Sequence, residues 1–424
     1  MREDLRRLVM RWSVKEKTFE REIEEKVLPF IGGKNAVFLY GPRRSGKSTE
    51  AKRLLGKCGK GAKTRYVNLE DPALEGLLGV GLLDGFSEGL GRNDVLVLDE
   101  VQLVPLWEKW VRRAVDLRQC GLIVSGSSAK LLSGEFATSL GGRGVGFQVL
   151  PLSFREFSCL RGKNLESYLD IGGYPEAVLS PEKKDKLMES YFELALMKDI
   201  VSRYRLKSAA ELRTLALYLI TNSGKLTSLK QIRSVLGLSY DTARRFIDYL
   251  ESAFLIFQVP YFSYSMKDSL ARQRKVYAWD AGMQSYASKS FSADLGRKAE
   301  AAVACELKRR GYELYYWRGK NEVDFVARKL LGLTPINVTY SERIAGREEA
   351  GLAEFCSMNK AKKAVILYLG PTKDVERTGF NLHLINLEEW LLERQTAASN
   401  TPESERGDNA GGKPKPHKRS WKKP

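Results

Sequence analysis

Histidine and cysteine are scarce in this sequence of 424 residues, and their scarcity excludes several kinds of functional site. Only two histidines occur, His383 and His417, so the chain has too few of them for a histidine-rich metal site and hardly enough for a catalytic triad. The five cysteines are an odd number, and they are scattered without a C-x-x-C pair. This pattern argues against a disulfide framework and against a structural zinc site.

Long apolar runs are also missing from the chain. No stretch approaches the ~18 apolar residues that a membrane span requires. The first residues, MREDLRRLVMRWSVKEK, are too highly charged for the core of a signal peptide. We therefore expect a reduced, cytoplasmic protein without a membrane partner.

Positive charge is what the sequence has in excess. Its 70 lysines and arginines exceed its 52 acidic residues, which gives a formal charge of +18 and a pI near 9.5. Such a field attracts polyanions, so nucleic acid is the first partner to consider and an anionic membrane surface the second. A solvated basic surface that keeps the protein in solution is the alternative explanation.

The order of apolar patterns predicts several domains. Over residues 31–155, short apolar runs alternate with helical stretches, which is typical of a parallel sheet covered by helices on both faces. Residues 156–290 have mostly helical periodicity, and residues 291–394 return to mixed helices and strands. The predicted strands of the first domain are 36–40, 64–70, 94–100 and 122–128.

The two ends of the chain differ from these domains. Residues 1–30 are highly charged and predicted to be helical, whereas residues 395–424 are rich in Pro, Gly, Ser and charge. The latter segment has almost nothing to bury, so we expect it to be a disordered basic tail. It would either contact nucleic acid nonspecifically or act as a solubilising end.

The segment GPRRSGKS matches G-x-x-x-x-G-K-[ST] and directly follows the first predicted strand. In such a loop the glycines let backbone N–H groups point at phosphate oxygens, and Lys47 reaches the β- and γ-phosphates. The hydroxyl of Ser48 is placed to ligate magnesium. The predicted nucleotide-binding residues are Gly41, Pro42, Arg43, Arg44, Ser45, Gly46, Lys47, Ser48 and Thr49.

A second acidic element follows about 50 residues later. The strand DVLVLDE ends in Asp99 and Glu100, at the edge of the sheet where the phosphates are expected. Asp99 is predicted to hold magnesium with Ser48, and Glu100 to polarise the attacking water as a general base. ATP and Mg²⁺ are therefore the expected cofactors.

Two further candidates fall where contacts to the γ-phosphate belong. Ser125 or Ser127, at the end of LIVSGSS, is a candidate γ-phosphate sensor, although a turn rich in hydroxyls explains these residues equally well. Arg143 is a candidate arginine finger, acting within one chain or across a subunit interface. For an isolated arginine, a surface ion pair is the alternative.

Taken in order, these motifs resemble one family. GPRRSGKST, VLVLDEVQ, EKWVRRAVD, SGSSAKLL, LGGR and PLSFREF are similar to the AAA-type ATPases of archaea and bacteria that bear a C-terminal nuclease-fold domain of unknown function. The resemblance covers residues 30–390. It implies a sensor role for the SGSS segment, on Ser127, and a finger-like role for Arg143.

The region 225–262 predicts a winged helix-turn-helix. A helix, a Gly-Leu-Ser turn, a second helix capped by Ser239 and then β-type residues follow one another, and the second helix carries Arg244 and Arg245. This helix is expected to enter a major groove, although such modules also serve as protein-binding or lid elements. Arg272, Arg274 and Lys275 are expected to extend the basic surface.

The C-terminal order helix, three strands, helix, strand resembles the restriction-endonuclease-like fold. That resemblance places magnesium-binding carboxylates at Glu300 and Asp324, but the third position reads Asn337-Val338-Thr339 and lacks both the carboxylate and the lysine of active members. Glu322 and Lys320 share a strand face with Asp324, so a partial replacement is conceivable. We expect this degenerate nuclease-like site to be inactive.

The fold class is therefore α/β: a P-loop NTPase sheet domain, a helical and winged-helix domain, and a restriction-endonuclease-like domain. The leading function is an ATP-hydrolysing AAA-type ATPase that acts on or with nucleic acid, most of all DNA. The alternative is an ATP-dependent switch or DNA-binding regulator with little turnover, and the third is an ATP-dependent nuclease. The candidate finger also raises the prospect of a homo-oligomer.

Overall fold

A computed structural model of the chain describes residues 19–59, 61–127, 140–288, 294–330 and 332–394. The predicted N-terminal helical segment lies partly outside these residues, and its described part forms helix α1 (Glu22–Val27) and a 3₁₀ turn (Leu28–Phe30). The predicted basic tail lies outside them entirely. Within the described part of the chain, no helix is long and apolar enough to cross a membrane.

The first domain contains a parallel sheet, as predicted, and this sheet has five strands. Its order is β2-β3-β4-β1-β5, so β4 lies between the strand that precedes the 41–48 loop and the strand that ends in the acidic pair. The strands are β1 (Ala36–Tyr40), β2 (Thr64–Asn68), β3 (Val95–Asp99), β4 (Gly121–Gly126) and β5 (Gly144–Gln148). Helices α2 (Lys47–Gly56), α3 (Val80–Ser87) and α4 (Trp107–Asp116) connect them.

The central strands are buried on both faces, which explains their continuous apolar runs. Alternate side chains of β1 enter different cores: Val37 and Leu39 pack with α2, whereas Phe38 packs with Trp107 and Trp110 of α4. Strand β5 was not predicted, because its sequence GVGFQ has two glycines and no fully buried residue.

The second region is mainly helical, as expected. Helix α8 continues without a break into a π-helix, Ala195–Ser202. π-Helices are rare and often mark functional positions. The helices of this region up to residue 221 are α5 (Phe154–Arg161), α6 (Leu165–Ile171), α7 (Pro175–Leu179), α8 (Lys184–Leu194) and α9 (Ala209–Thr221).

Two helices and a small antiparallel sheet follow. The turn between the helices contains Gly237 with φ 70°, and the Ser239 hydroxyl accepts a hydrogen bond from the Thr242 amide at 3.1 Å, which caps the second helix as predicted. The sheet has the order β6-β8-β7. The elements are β6 (Leu226–Thr227), α10 (Leu229–Leu236), α11 (Tyr240–Ser252), β7 (Ile256–Val259), α12 (Met266–Ala271), β8 (Arg274–Ala278) and α13 (Ala281–Ala287).

The C-terminal region has a mixed six-stranded sheet of order β13-β14-β12-β11-β10-β9. The predicted helix, three strands, helix and strand are present, and a hairpin of β13 and β14 that was not predicted extends the sheet. The elements are α14 (Leu295–Arg309), β9 (Glu313–Arg318), β10 (Glu322–Lys329), β11 (Gly332–Val338), α15 (Gly346–Asn359), β12 (Lys363–Tyr368), β13 (Lys373–Arg377), β14 (Phe380–Asn386) and α16 (Leu387–Leu392).

The second and third regions share one apolar core. Phe192 of α8, Tyr277 of β8 and Phe325 of β10 belong to the same cluster of buried side chains, together with Leu391 of α16. Burying side chains of this size removes a large apolar area from water, which contributes roughly 1.5–3 kcal/mol for each. These two regions therefore pack against each other through this shared hydrophobic core.

Candidate functional site

The loop between β1 and α2 has a backbone that glycine alone fits at two positions. Gly41 has φ 151°, and a Cβ there would lie 2.2 Å from the carbonyl oxygen of Val149. Gly46, just before α2, has φ 97° in the left-handed region. These two positions wrap the loop over the N-terminus of α2, whose first amides have no acceptor within the helix.

Lys47 is buried at this helix N-terminus. Its Nζ donates to the carbonyl oxygens of Gly41 at 3.0 Å and Pro42 at 2.7 Å. In the part of the chain that the structure describes, no carboxylate lies within ion-pair distance of this ammonium group. Burial lowers the pKa of Lys47, although the more distant carboxylates of Glu100, Asp99 and Asp199 oppose that effect. The ammonium group is therefore a cation without a direct counter-ion.

Asp99 lies at the carboxyl end of β3 and is almost fully buried. Its Oδ2 accepts a hydrogen bond from the Tyr66 hydroxyl at 2.5 Å, and its Oδ1 accepts one from the Ser125 hydroxyl. Burial, reinforced by Asp99, raises the pKa of Tyr66, while a hydrogen bond with Ser48 acts in the opposite direction. The structure thus brings the predicted magnesium ligands Ser48 and Asp99 within hydrogen-bonding reach of the same Tyr66 hydroxyl.

Glu100 follows with a left-handed backbone, φ 56°, which turns its carboxylate away from the strand direction. Burial raises the pKa of Glu100, while Lys47 and Arg43 act in the opposite direction. The Gln102 side-chain amide donates to this carboxylate. A carboxylate whose pKa is raised is a better proton acceptor near neutral pH than an ordinary glutamate.

A residue of the second region completes this site. Asp199, on the π-helix, is 1% exposed, and its two carboxylate oxygens share a bifurcated hydrogen bond from Arg43 Nε of the 41–48 loop, each at 2.9 Å. The Ser127 hydroxyl donates to the same carboxylate at 3.1 Å. Ser127 therefore lies at the site, bonded to Asp199, whereas Ser125 is bonded to Asp99. Sequence reasoning missed Asp199, although a carboxylate three residues from Leu196 on an apolar helix face was an available signal.

Arg143 lies at the amino-terminal ends of the strands, whereas the 41–48 loop follows the carboxyl end of β1. It immediately precedes β5, whose first residue pairs with Ala36 at the start of β1, so the length of the sheet separates it from the 41–48 loop. Its Nε forms an ion pair with Asp116 at 2.5 Å. This position argues against a finger that acts within the same chain, and the role across a subunit interface stays a prediction.

The remaining loop residues have different surroundings. Arg44 and Thr49 are exposed, and the Arg44 guanidinium lies 6.0 Å from the ring centre of Tyr191. Ser45 is fully buried, and its hydroxyl has no hydrogen-bond partner among the described residues. An unpaired buried hydroxyl in a loop of this shape is a polar group available to a ligand.

An arginine of the N-terminal segment, Arg21, stabilises the 41–48 loop through hydrogen bonds. Arg21 donates to the carbonyl oxygens of Ser45 at 3.1 Å and Leu150 at 2.8 Å, and to the Glu156 carboxylate at 2.7 Å. Burial acts to raise the pKa of Glu156, but Arg21 and Arg309 hold it at about 2. Sequence reasoning missed these contacts, because Arg21 lies in a stretch dense with charges.

Glu50, one turn into α2, is buried without a direct cation. Neither carboxylate oxygen has a hydrogen-bond partner among the described residues. Burial, reinforced by Glu24, raises the pKa of Glu50 to about 8. This residue is therefore protonated at neutral pH.

The C-terminal carboxylates also converge, but they do so on a lysine. Lys275 Nζ lies 2.9 Å from Glu300 Oε1, 2.7 Å from Glu322 Oε1 and 3.3 Å from Asp324 Oδ1. The Tyr277 hydroxyl donates to Glu300 at 2.5 Å. Burial acts to lower the pKa of Lys275, but the carboxylates raise it well above its usual value, led by Glu300.

This arrangement corrects the expectation that Lys275 extends the basic surface, because its side chain is only 3% exposed. Asn337, at the third position of the degenerate site, accepts from the Asp324 amide at 2.9 Å and donates to the Glu348 carbonyl at 2.9 Å. Thr339, just beyond β11, donates its backbone amide to the carbonyl oxygen of Leu367. Lys320 is exposed, and it is Lys275 from the second region that supplies the cation at the cluster.

The residues at the 41–48 loop fit a nucleotide with magnesium. Within the described ranges, no group of three or more His, Cys, Asp or Glu side chains is arranged to hold a metal ion. A magnesium ion bound with a nucleotide needs only one or two protein ligands, because phosphate oxygens and water complete its shell. Ser48 and Asp99 fit that role. Lys47 and the unpaired Ser45 hydroxyl belong to the same loop and are available to the phosphates.

Family models match three consecutive parts of the chain. An AAA domain matches residues 33–158, a domain of unknown function (DUF8612) matches residues 162–294, and a second one (DUF4143) matches residues 295–390. The first match agrees with the order of the parallel sheet. The second and third carry no functional description.

Curated relatives extend over most of the chain. The uncharacterized protein MJ1544 of Methanocaldococcus jannaschii is 32% identical over 346 residues, which are 74% of this chain and 75% of that protein. An uncharacterized protein of Haemophilus influenzae is 30% identical over 316 residues, 70% of this chain and 77% of its own length.

Solved structures overlap less well. A mutant of Thermotoga maritima RuvB has a TM-score of 0.31 and 19% identity, covering 56% of this chain and 86% of that one. AMPPCP-bound DnaA from Aquifex aeolicus has a TM-score of 0.30 and 19% identity, covering 54% and 86%. The assignment of an AAA-type domain therefore depends on the family match and the sheet.

Proposed function

Since this chain belongs to the family of MJ1544 and carries an AAA-type ATPase domain over residues 33–158, we propose that it binds magnesium–ATP at the 41–48 loop and hydrolyses it. The observation that carries the proposal is the state of Lys47. A buried ammonium group without a carboxylate partner, at a helix N-terminus, is stabilised by an anionic ligand. The β- and γ-phosphates of a nucleotide supply that charge.

Each residue of the site has a role in this proposal. Lys47 and the loop amides bind the phosphates, and Ser48 with Asp99 would hold the magnesium ion, which supplies charge neutralisation at the phosphates. Tyr66 and Ser125 fix the orientation of the Asp99 carboxylate through their hydrogen bonds. This network positions the metal ligand before the nucleotide arrives.

Glu100 accepts the proton of the attacking water. The oxygen of that water forms a bond to the γ-phosphorus, the bond to the β–γ bridging oxygen breaks, and the proton passes to the Glu100 carboxylate. Its raised pKa suits a base that must accept a proton near neutral pH. Gln102 holds the carboxylate in place.

Asp199 connects the nucleotide to the second region. A γ-phosphate beside the loop competes with Asp199 for the Arg43 guanidinium, because both are anions that suit its donor groups. Ser127 then senses the nucleotide through its bond to Asp199. Nucleotide occupancy is in this way transmitted to the π-helix.

The partner proposed for this ATPase is nucleic acid. The formal charge of +18 and the pair of helices with a small sheet at residues 226–278 support it, as a winged helix-turn-helix has these elements. The nuclease alternative is less well supported, since Glu300, Glu322 and Asp324 are already bonded to Lys275.

ATP turnover and binding test the proposal together. Glu100→Gln should lower the turnover rate roughly 10²- to 10⁴-fold while magnesium–ATP still binds, because only the proton acceptor is lost. Lys47→Ala should abolish the heat of magnesium–ATP titration. Glu108→Gln and Lys109→Ala, on the outer side of α4, are the matched controls and should behave as wild type.

Two outcomes would contradict this proposal. No heat of binding in the wild type would remove the nucleotide site altogether. Equal and low turnover in the wild type and in Glu100→Gln would instead favour the switch that binds ATP with little hydrolysis.

A further inference from the structure

A groove lies between the two helices and the small sheet of the second region. Its volume is about 540 Å³, and its floor is apolar, with Ile232, Ile247 and Val276. Three arginines line its rim: Arg244 of α11, Arg272 just after α12, and Arg274 at the start of β8. The acidic residue in the lining is Asp248.

A second cavity of about 300 Å³ lies next to this groove, on the side of the C-terminal sheet. Both cavities are lined by Arg272 and Gln273, so they share a wall. The second one is completed by Tyr261, Tyr316 and Arg318. We call the two cavities together the basic groove.

The arginines of the basic groove have few acidic neighbours: Asp248 lies in the lining, and Arg274 opposes the burial that raises the pKa of Glu251. Among the described residues, no carboxylate forms an ion pair with Arg244, Arg272, Arg274 or Arg318, whereas many other arginines of the chain are paired. Four unpaired guanidinium groups along one groove raise the local positive potential, which is relieved by an anion. A series of cations along a channel suits a chain of phosphates better than a single small anion.

Aromatic rings accompany these cations. The Arg272 guanidinium lies 4.8 Å from the ring centre of Tyr261, and the rings of Tyr261 and Tyr316 are 5.5 Å apart in an edge-to-face arrangement. Tyr261 is partly exposed, so its ring offers a surface for stacking. Alternating guanidinium and aromatic planes are what proteins use to stack unpaired bases.

The groove wall is held in place from its other side. Arg274 and Val276 face the groove, and the intervening Lys275 points the opposite way into Glu300, Glu322 and Asp324. The Tyr316 hydroxyl also donates to the Gln273 carbonyl at 2.7 Å. A wall fixed in this way is formed before its ligand binds, which reduces the entropy lost on binding.

We propose that the basic groove binds an unpaired nucleic-acid strand, with its phosphates on the arginines and a base stacked on Tyr261. This inference deepens the proposed function, because it rests on nucleic acid being the partner. A duplex fits less well: the exposed face of α11 carries Asp241 and Asp248 beside Arg244 and Arg245, so it is not a continuous cationic face for a major groove.

Fluorescence anisotropy of labelled oligonucleotides with the full chain tests the proposal. The probes are a single-stranded DNA of about 12 nucleotides, the RNA of the same sequence and the corresponding duplex. We expect the single strands to bind more tightly than the duplex. Tyr261→Ala should weaken single-strand binding roughly 5- to 150-fold, the range reported for loss of one stacked base.

Arg272→Ala and Arg318→Ala should weaken binding at every sequence and each reduce the slope of log K against log salt by about 0.7. Arg112→Ala, an exposed arginine of α4 on the first domain, is the matched control and should leave both affinity and slope unchanged. ATP turnover without nucleic acid is measured on every variant, and wild-type rates show that the fold is intact.

Three outcomes would overturn the inference, and they are distinguishable. If the wild type binds none of the probes at low salt, nucleic acid is not the partner and the proposed function fails with the groove. If the wild type binds but the groove variants bind equally well, the groove alone is wrong. If the duplex binds more tightly and Arg245→Ala has a larger effect than Arg318→Ala, α11 reads a duplex instead.

Discussion

Lys47 and Lys275 are buried lysines that each lie near three carboxylates, and their surroundings differ in one respect. Lys275 contacts Glu300, Glu322 and Asp324 directly, at 2.7–3.3 Å. Lys47 donates only to two carbonyl oxygens of its own loop, while its carboxylates remain farther away. The first cation is already neutralised by the protein, and the second is not.

The pKa shifts of the two lysines have opposite signs for this reason. Burial acts to lower both, but the direct carboxylates raise the pKa of Lys275 well above its usual value, whereas burial prevails at Lys47 and lowers it. A buried lysine without a partner marks a site that a ligand completes. A buried lysine with three partners is a joint between structural elements, here β8 with α14 and β10.

The largest effect expected from this comparison is the loss of the joint. Lys275→Met would leave Glu300, Glu322 and Asp324 close together without their cation, and we expect the free energy of unfolding to fall by about 3–5 kcal/mol. Urea unfolding of the full chain measures it. Lys320→Met, at an exposed lysine of the same region, is the control and should change little.

A metal titration separates a joint from a metal site. Wild-type protein should show no heat on titration with Mn²⁺ and no cleavage of plasmid DNA. Stoichiometric Mn²⁺ binding by the wild type that disappears in Asp324→Ala would mean that the carboxylates hold a metal despite Lys275.

A carboxylate without a cation provides the next test. The pKa of Glu50 is raised to about 8, so the folded protein binds one more proton than the unfolded chain between the ordinary glutamate pKa and about pH 8. The free energy of unfolding should therefore fall with rising pH across this window, by up to about 1.4 kcal/mol for each pH unit.

Glu50→Gln removes this dependence, because the amide stays neutral. The variant should match wild type near the acidic end of the window and be more stable than wild type above it, as measured by urea unfolding at several pH values. Glu25→Gln, at an exposed position of α1, is the control. Parallel pH profiles for wild type and Glu50→Gln would show that Glu50 is ionised in the folded protein.

The smallest expected effect concerns Asp199, a carboxylate that the nucleotide must displace from Arg43. Asp199→Asn frees the guanidinium and removes a negative charge near the phosphates, so magnesium–ATP should bind roughly 5-fold more tightly, about 1 kcal/mol. Isothermal titration measures it. Glu70→Gln, whose partly exposed carboxylate lies 3.8 Å from Arg43, should change the affinity less. Weaker binding by Asp199→Asn would mean that Asp199 supports the nucleotide rather than competing with it.

The parts of the molecule that local sequence determines were predictable. The parallel sheet followed from continuous apolar runs, and the grouping of Lys47, Ser48, Asp99 and Glu100 followed from motif spacing. Tyr66, Asp199 and Lys275 were not predictable as neighbours of these sites, because tertiary packing brings them there from other elements. Strand β5 was missed since its glycines carry no apolar signal, and without β5 the position of Arg143 at the far edge could not be foreseen.

Arg21 has a practical consequence for anyone who wishes to study the ATPase part alone. The AAA domain match begins at residue 33, yet the loop carbonyl of Ser45 and the carboxylate of Glu156 both depend on a guanidinium that precedes it. A fragment that begins at residue 33 would leave the buried Glu156 without its arginine and would remove a hydrogen bond that holds the 41–48 loop. The smallest piece worth expressing therefore starts before Arg21, whatever the family boundary suggests.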